Sequence, residues 1–265
     1  MDEAGMNEAD MNETAYTKFA SIYDIFMDGT PYEKWCDYIC EILAENKITD
    51  GIIADLGCGT GMLTRLLSRR GYDMIGIDYA EDMLAVAREK QAEADQSILY
   101  LSQDMREFEL YGTVAAIVSV CDSINYILEE EEILQVFKLV NNYLDPKGLF
   151  IFDLNMEYKY QEILGDSIIA ENREEGSFIW ENFYDSETQI NEYELTLFLP
   201  EQEDSGLFRK YKELHYQRAY DLCTMQDLLK QAGMECIAIF DAFTREPVRA
   251  DSERVCIIAR ESGKT

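Results

Sequence analysis

This chain predicts an α/β fold in which a doubly wound, largely parallel sheet carries helices on both faces. From Gly51 to Asp153 short apolar runs alternate with helix-like segments, the pattern of strands buried on both sides and joined by crossover helices. The first run leads directly into Asp55, Leu56, Gly57, Cys58, Gly59, Thr60 and Gly61, a turn with glycine at alternate positions. Aspartates at or just beyond the ends of four runs, Asp55, Asp78, Asp104 and Asp122, would therefore meet at one edge of the sheet. In such sheets ligands bind beyond the carboxyl ends of the strands, near the switch in strand order.

In chain order, Met1 to Thr14 is acidic and poor in apolar residues, which predicts an unfolded tail over residues 1–15. Tyr16, Phe19, Ala20, Tyr23, Ile25 and Phe26 recur at roughly helical spacing, and the helix-like Cys36 to Glu45 follows. Residues 16–48 thus form either a helical lid or an amphipathic segment packed on the core. Strands are predicted at Gly51 to Asp55, Asp73 to Asp78, Ser97 to Leu101, Val114 to Cys121 and Leu149 to Asp153. Helices are predicted at Met62 to Arg70, Glu81 to Ala94 and Glu130 to Leu144, the last followed by the turn-like Asp145, Pro146, Lys147, Gly148. Beyond Asp153 longer, partly alternating runs at Ser177 to Tyr184, Ile190 to Leu199 and Phe208 to Ala219 predict an antiparallel insertion over 156–220, serving as a cap or as a dimer surface. A helix at Met225 to Ala232 and strands at Glu235 to Phe240 and Arg254 to Ala259 return to the core, which spans 49–155 and 221–265.

Three glycines at alternate positions let backbone N–H groups approach a ligand while the chain takes unusual φ values. The spacing departs from the dinucleotide fingerprint G-x-G-x-x-G: the third glycine comes one residue early and Met62 stands where the last glycine belongs. Asp55 also suits a cationic ligand better than a pyrophosphate. The loop resembles motif I of class I S-adenosylmethionine-dependent methyltransferases, and Gly76-Ile77-Asp78-Tyr79, Gln103-Asp104-Met105 and Asp122 to Tyr126 resemble the motifs that follow it in that family. The resemblance implies a Rossmann-like sheet of seven strands, the last two forming an antiparallel hairpin. It implies S-adenosyl-L-methionine as cofactor, held by Tyr16 or Tyr23, Asp55, Gly57, Gly59, Gly61, Asp78, Tyr79, Met83, Asp104, Met105 and Cys121. In it Asp78 would hold the ribose hydroxyls and Asp104 with Met105 the adenine.

Composition narrows the acceptor. The chain has 53 acidic and 23 basic side chains in 265 residues, a net charge of -30, which repels polyanions and disfavours nucleic acid as a partner. Seven cysteines without a C-x-x-C pair suggest buried thiols of a cytoplasmic protein rather than disulfides or a metal site. No charged-then-apolar leader or long apolar run suggests a membrane. A small-molecule substrate and a possible homodimer are the expected partners.

A sulfonium methyl is already activated, so catalysis reduces to alignment, water exclusion and a nucleophile with a free lone pair. Asn125 and Tyr126, just past the fourth predicted strand, and His215, the one histidine, are the candidate catalytic residues. His215 could equally be a packed sheet residue. Tyr220, Arg218 and Trp180 are weaker candidates. At this point a protein or tRNA methyltransferase, a non-catalytic cofactor-binding protein and a nicotinamide dehydrogenase remain open as alternatives.

Overall fold

The structure, a computed structural model, describes residues 20, 22–94, 97–201 and 206–264. The predicted tail and Tyr16 lie outside the described residues. The first elements are α1 (Tyr23–Phe26), α2 (Tyr32–Glu45), β1 (Ile52–Leu56), α3 (Met62–Arg69), β2 (Asp73–Asp78), α4 (Glu81–Glu93), β3 (Leu99–Ser102), β4 (Val114–Ser119), α5 (Glu130–Tyr143) and β5 (Leu144–Asn155). Four strands follow, β6 (Ile168–Asn172), β7 (Ser177–Asp185), β8 (Ile190–Pro200) and β9 (Phe208–Arg218). The chain closes with α6 (Leu222–Gln231), β10 (Met234–Asp241) and β11 (Arg254–Glu261).

Seven strands form one sheet in the order β10-β11-β5-β4-β1-β2-β3. β1 pairs in parallel with both β2 and β4, so the strand order switches direction beside β1. β11 runs antiparallel to β5 and to β10, the anticipated hairpin. Both faces are buried, and β5 shows why the fold is stable. Phe150, Phe152 and Leu154 pack with Phe137 of α5 and with Met225 and Leu229 of α6, while Leu149 and Ile151 pack with Ile39 and Leu43 of α2 and Leu67 of α3. Each such side chain contributes roughly 1.5–3 kcal/mol when removed from water.

The helices begin where local chemistry satisfies their free N–H groups. Asp221 caps α6 by accepting from Thr224 N at 2.9 Å, and Glu81 and Asp82 complement the first turn of α4. The predicted turn at Asp145 to Gly148 belongs instead to the start of β5, where the pairing with β4 shifts register between Val114 and Ala116 and Lys147 takes φ 64. The irregularity absorbs the turn residues without ending the strand.

β6 to β9 form a separate antiparallel sheet in sequential order. Strand register places Phe178, Trp180, Tyr193, Leu195, Leu197, Glu213, His215 and Gln217 on one face, and that face turns toward the carboxyl edge of the large sheet. Gln217 Nε2 donates to Asp122 Oδ2 at 2.6 Å. Asn125, in a 3₁₀ turn over Ser123–Tyr126, donates from Nδ2 to Arg218 O at 2.8 Å and to Asn155 O at 3.1 Å, and its Oδ1 accepts from Asn155 N at 2.9 Å. α1 joins the same closure: Phe26 meets Phe178 edge-on at 4.7 Å, and Arg173 binds Asp28 at 2.8 and 3.1 Å. Among the described residues no helix is long and apolar enough to cross a membrane.

Asn125→Ala should leave two backbone carbonyls and one N–H of this junction without their side-chain partner. Chemical denaturation should show a loss of about 3 kcal/mol; a change below about 0.5 kcal/mol would mean that these bonds do not hold the two sheets together.

Candidate active site

The glycine turn is shaped by steric limits that only glycine meets. Gly57, Gly59 and Gly61 all take positive φ (72, 53 and 71). A Cβ on Gly57 would stand 2.5 Å from Ser123 Oγ, and one on Gly61 would stand 2.4 Å from Tyr100 Oη, so these two glycines are required by packing inside the protein. Gly59 is different, because a Cβ there would meet nothing within 4 Å. Its backbone faces open space at the strand edge.

Asp78 ties this turn to the end of β2. Its Oδ2 accepts from Gly59 N at 2.8 Å and its Oδ1 from Ala80 N at 2.9 Å, which leaves each oxygen a further lone pair. Burial raises its pKa to about 6, against the lowering effect of those two N–H bonds. Asp55 is 1% exposed and accepts from Thr64 Oγ1 at 2.6 Å. Burial raises it to about 7, the Thr64 bond opposing and the charge of Asp78 adding.

The other predicted cofactor residues follow β2, β3 and β4 or stand in α1 and α4. Met105 Cε lies 3.4 Å from where a Gly57 Cβ would be. Asp104 is held by Arg106, whose Nε lies 3.0 Å from both carboxylate oxygens; burial works against its charge, yet the Arg106 hydrogen bonds keep it below the usual carboxylate range. Tyr79 is 40% exposed. Met83 is buried with Ala80 and Ala20, and Tyr23 packs against this cluster. Tyr23 hydrogen-bonds Tyr32, and burial, followed by the charges of Tyr32, Cys121 and Asp122, pushes its hydroxyl well above the ordinary value. Cys121 donates to Tyr32 Oη at 3.4 Å; burial, opposed by Arg254, pushes its thiol up to about 12. α1 is fastened directly to the glycine turn, since Thr60 Oγ1 donates to Asp24 Oδ1 at 2.5 Å and Lys90 pairs with the same carboxylate.

The three candidate catalytic residues part company. Asn125 is fully buried and its amide serves the backbone bonds described above; it acts as a latch that carries Tyr126. Tyr126 and His215 do meet: Tyr126 Oη lies 3.4 Å from His215 Nδ1 and contacts Tyr193 Oη, while the His215 ring stacks on Tyr193 at 4.6 Å. Glu213 Oε2 lies 3.4 Å from His215 Nε2. Of the weaker candidates, Arg218 and Tyr220 bond the Leu128 and Ile127 carbonyls, and the Trp180 ring lies 5.1 Å from that of Tyr193.

A buried ion network has no signature in the sequence. Arg254, at the start of β11, pairs with Asp153 and, at 2.5 Å, with Asp122. Asp122 N also donates to Asp153 Oδ1 at 3.0 Å, which holds Cys121 and Asp122 at φ 61 and 54. Burial opposes the Asp122 charge, but Arg254 and Lys159 bring its pKa below the ordinary value; Asp153 is raised by burial despite Arg254. No local motif marks Arg254, because its partners lie 101 and 132 residues away.

Comparison with known proteins agrees with this geometry. A family described as "Methyltransferase domain" matches residues 53–148. YqeM of Bacillus subtilis (strain 168), whose name carries a methyltransferase assignment and no acceptor, is 34% identical over 93% of this chain and 97% of its own. The crystal structure of an S-adenosylmethionine-dependent methyltransferase from Clostridium acetobutylicum superposes with a TM-score of 0.83 at 28% identity, covering 94% of this chain and 99% of that one. A Streptomyces venezuelae enzyme named dTDP-3-amino-3,4,6-trideoxy-alpha-D-glucopyranose N,N-dimethyltransferase is 28% identical over 51% of this chain and 56% of its own. The glycine turn, the acid closing β2 and the seven-stranded sheet define a methyltransferase of the Rossmann-like class. The chain belongs to the class I S-adenosylmethionine-dependent methyltransferases, and S-adenosylmethionine is its cofactor. The open face of Gly59 and the spare lone pairs of Asp78 fit that nucleotide.

Gly59→Ala should keep the fold, at about 1–2 kcal/mol for a left-handed non-glycine residue, while titration calorimetry should show S-adenosylmethionine affinity reduced by at least about tenfold. Gly57→Ala should instead lower the melting temperature sharply. Equal effects of the two would remove the distinction between a ligand-facing and a packing glycine.

The raised pKa of Asp78 gives a second test. Its folded form holds a proton more tightly than the unfolded chain, so this group's stabilising contribution is full below the ordinary carboxylate pKa and is lost as pH rises through about 6. Ribose hydroxyls donate best to the ionised form. Cofactor affinity should therefore fall as pH drops below about 6, by at most about tenfold per pH unit, and Asp78→Asn should flatten that dependence. A pH-independent affinity in the unsubstituted protein would contradict the assignment.

Proposed function

We propose that this cytoplasmic enzyme methylates a small-molecule acceptor at a nitrogen or oxygen nucleophile by in-line displacement. The observation that supports the reading is the second sheet, whose Tyr193, His215 and Gln217 face meets Tyr126 and Asp122 beyond the end of β4. A site covered in this way suits a small acceptor better than an extended polymer. The net charge of -30 adds a barrier to tRNA. The Streptomyces venezuelae relative acts, by its name, on an amino sugar, which supports a small acceptor.

Bound S-adenosylmethionine supplies a methyl group on a positively charged sulfur, so the protein need not form a covalent intermediate. Asp78, the glycine turn and Met105 would hold the nucleoside, with Asp104 and Tyr79 beside the adenine. Asp55, Met83, Tyr23 and Cys121 would complete the wall. Tyr126 and His215 stand together beyond β4, where they would hydrogen-bond the acceptor and take its proton. Asn125 would keep that turn in place, and α1 with Tyr23 and Tyr32 would exclude water.

The test is incubation with methyl-labelled S-adenosylmethionine and, separately, a metabolite extract, a protein extract and tRNA. Label should pass into the small-molecule fraction with release of S-adenosylhomocysteine. Label confined to protein or tRNA would overturn the reading.

A further inference from the structure

Lys159 opens the π-helical turn Lys159–Leu164 that follows β5, a departure from α-helical winding that often marks a functional site. The turn is anchored by the buried Tyr160, whose Oη donates to Gln217 Oε1 at 3.2 Å, and Gln217 donates in turn to Asp122 Oδ2 at 2.6 Å. Lys159 Nζ donates to Asn155 Oδ1 at 3.0 Å, and Asn155 N donates to Asn125 Oδ1 at 2.9 Å. The ammonium is thus joined through Asn155 to Asn125, the residue before Tyr126, in the layer between the two sheets. Strand order sets it apart from the nucleotide: β5 adjoins β4 on the flank away from β1 and β2, the strands whose ends carry the glycine turn and Asp78.

Lys159 is half-buried, and an ammonium carries three N–H donors. Among the described residues one of the three is used, on a neutral amide, and Lys159 forms no close ion pair. The neighbouring carboxylates are already engaged: Asp122 accepts from Arg254 and Gln217, and Asp153 accepts from Arg254 and from Asp122 N. Burial lowers the Lys159 pKa below its ordinary value; Asp122 opposes that, Arg254 adds to it, and Asp153 and Glu253 oppose it. A charge partly removed from water, with two donors left over, is best satisfied by an anionic oxygen group that a ligand brings. The net charge of -30 repels anions at long range, so recognising one requires a cation placed at the site.

We propose that Lys159 binds an anionic oxygen group, carboxylate or phosphate, on the acceptor, and that the substrate class is accordingly an anionic small metabolite whose nucleophile is presented to the Tyr126–His215 pair. The proposal rests on the reading that a small acceptor enters beneath the second sheet. Lys159 is a binding residue in this scheme: it holds the charged end of the acceptor and takes no part in moving its proton.

The test uses the full chain, methyl-labelled S-adenosylmethionine and a metabolite extract divided on an anion exchanger into a retained and an unretained fraction. Label should pass into the retained fraction. Prior treatment of that fraction with a phosphatase and a phosphodiesterase separates the two groups: it should abolish labelling if Lys159 takes a phosphate and leave it intact if Lys159 takes a carboxylate. Lys159→Met should raise the amount of retained fraction needed for half-maximal labelling at least about tenfold, while titration calorimetry shows S-adenosylhomocysteine affinity within about twofold. Lys159→Arg should restore much of the difference. Label confined to the unretained fraction overturns the proposal even if Lys159→Met fails to fold, and so does a Met variant with an unchanged half-maximal amount. A Met variant that loses S-adenosylhomocysteine affinity to the same extent also overturns it, by assigning the ammonium to the cofactor's own carboxylate. Label in neither fraction overturns the small-acceptor reading, and the proposal with it.

Discussion

The hydrogen bond from Gly59 N to Asp78 Oδ2 is the constraint on which the site depends. It joins the turn after β1 to the end of β2, two neighbouring parallel strands, at the edge where the strand order reverses. Because Gly57 N and Cys58 N both donate to Ile77 O at 2.8 and 3.0 Å and Gly61 N donates to Cys58 O at 2.9 Å, the turn lies folded across the end of β2. The same edge collects Asp55, Asp104 and Asp122 without any of them being near the others in sequence. Burial of Asp55 and Asp78 raises the cost of their charge, a cost that a cationic, hydroxyl-rich ligand offsets. The electrostatics and the backbone geometry therefore select the same kind of molecule.

Closure over that edge comes from two directions. α1 is pinned to the glycine turn through Asp24 and Thr60 and to the second sheet through Asp28 and Arg173. The second sheet is pinned to the core through Gln217 and Asp122 and through the Asn125 amide. Arg254 then fixes Asp122 and Asp153 against each other. Removing either partner of such a buried pair typically costs about 3–5 kcal/mol, so the polar layer between the sheets is a structural element as well as a lining for the site.

The core was legible because its strands are apolar on both faces and end in aspartates; helix–strand alternation left little freedom in their order. The glycine turn was legible because each residue type has a local steric reason. β6 was not, since Ile168–Asn172 is an edge strand that is mostly exposed and carries no inward alternation for a reader to find. The π-helical turn at Lys159–Leu164 likewise has no local signature. His215 could be noticed as the one histidine, yet its surroundings of Glu213, Tyr193 and Tyr126 arise from register and from docking between sheets. Asn125 reads in the sequence as a polar residue beyond β4, but only the fold reveals that its amide is committed to backbone. Long-range pairing, as with Arg254, leaves no mark in a single sequence.

The most direct test of the account is a crystal structure of the full chain with S-adenosylhomocysteine. The account predicts the ribose hydroxyls on Asp78, the nucleotide against the open face of Gly59 and the adenine beside Asp104 and Met105. A nucleotide bound elsewhere, or with Asp78 turned away from its ribose, would contradict it.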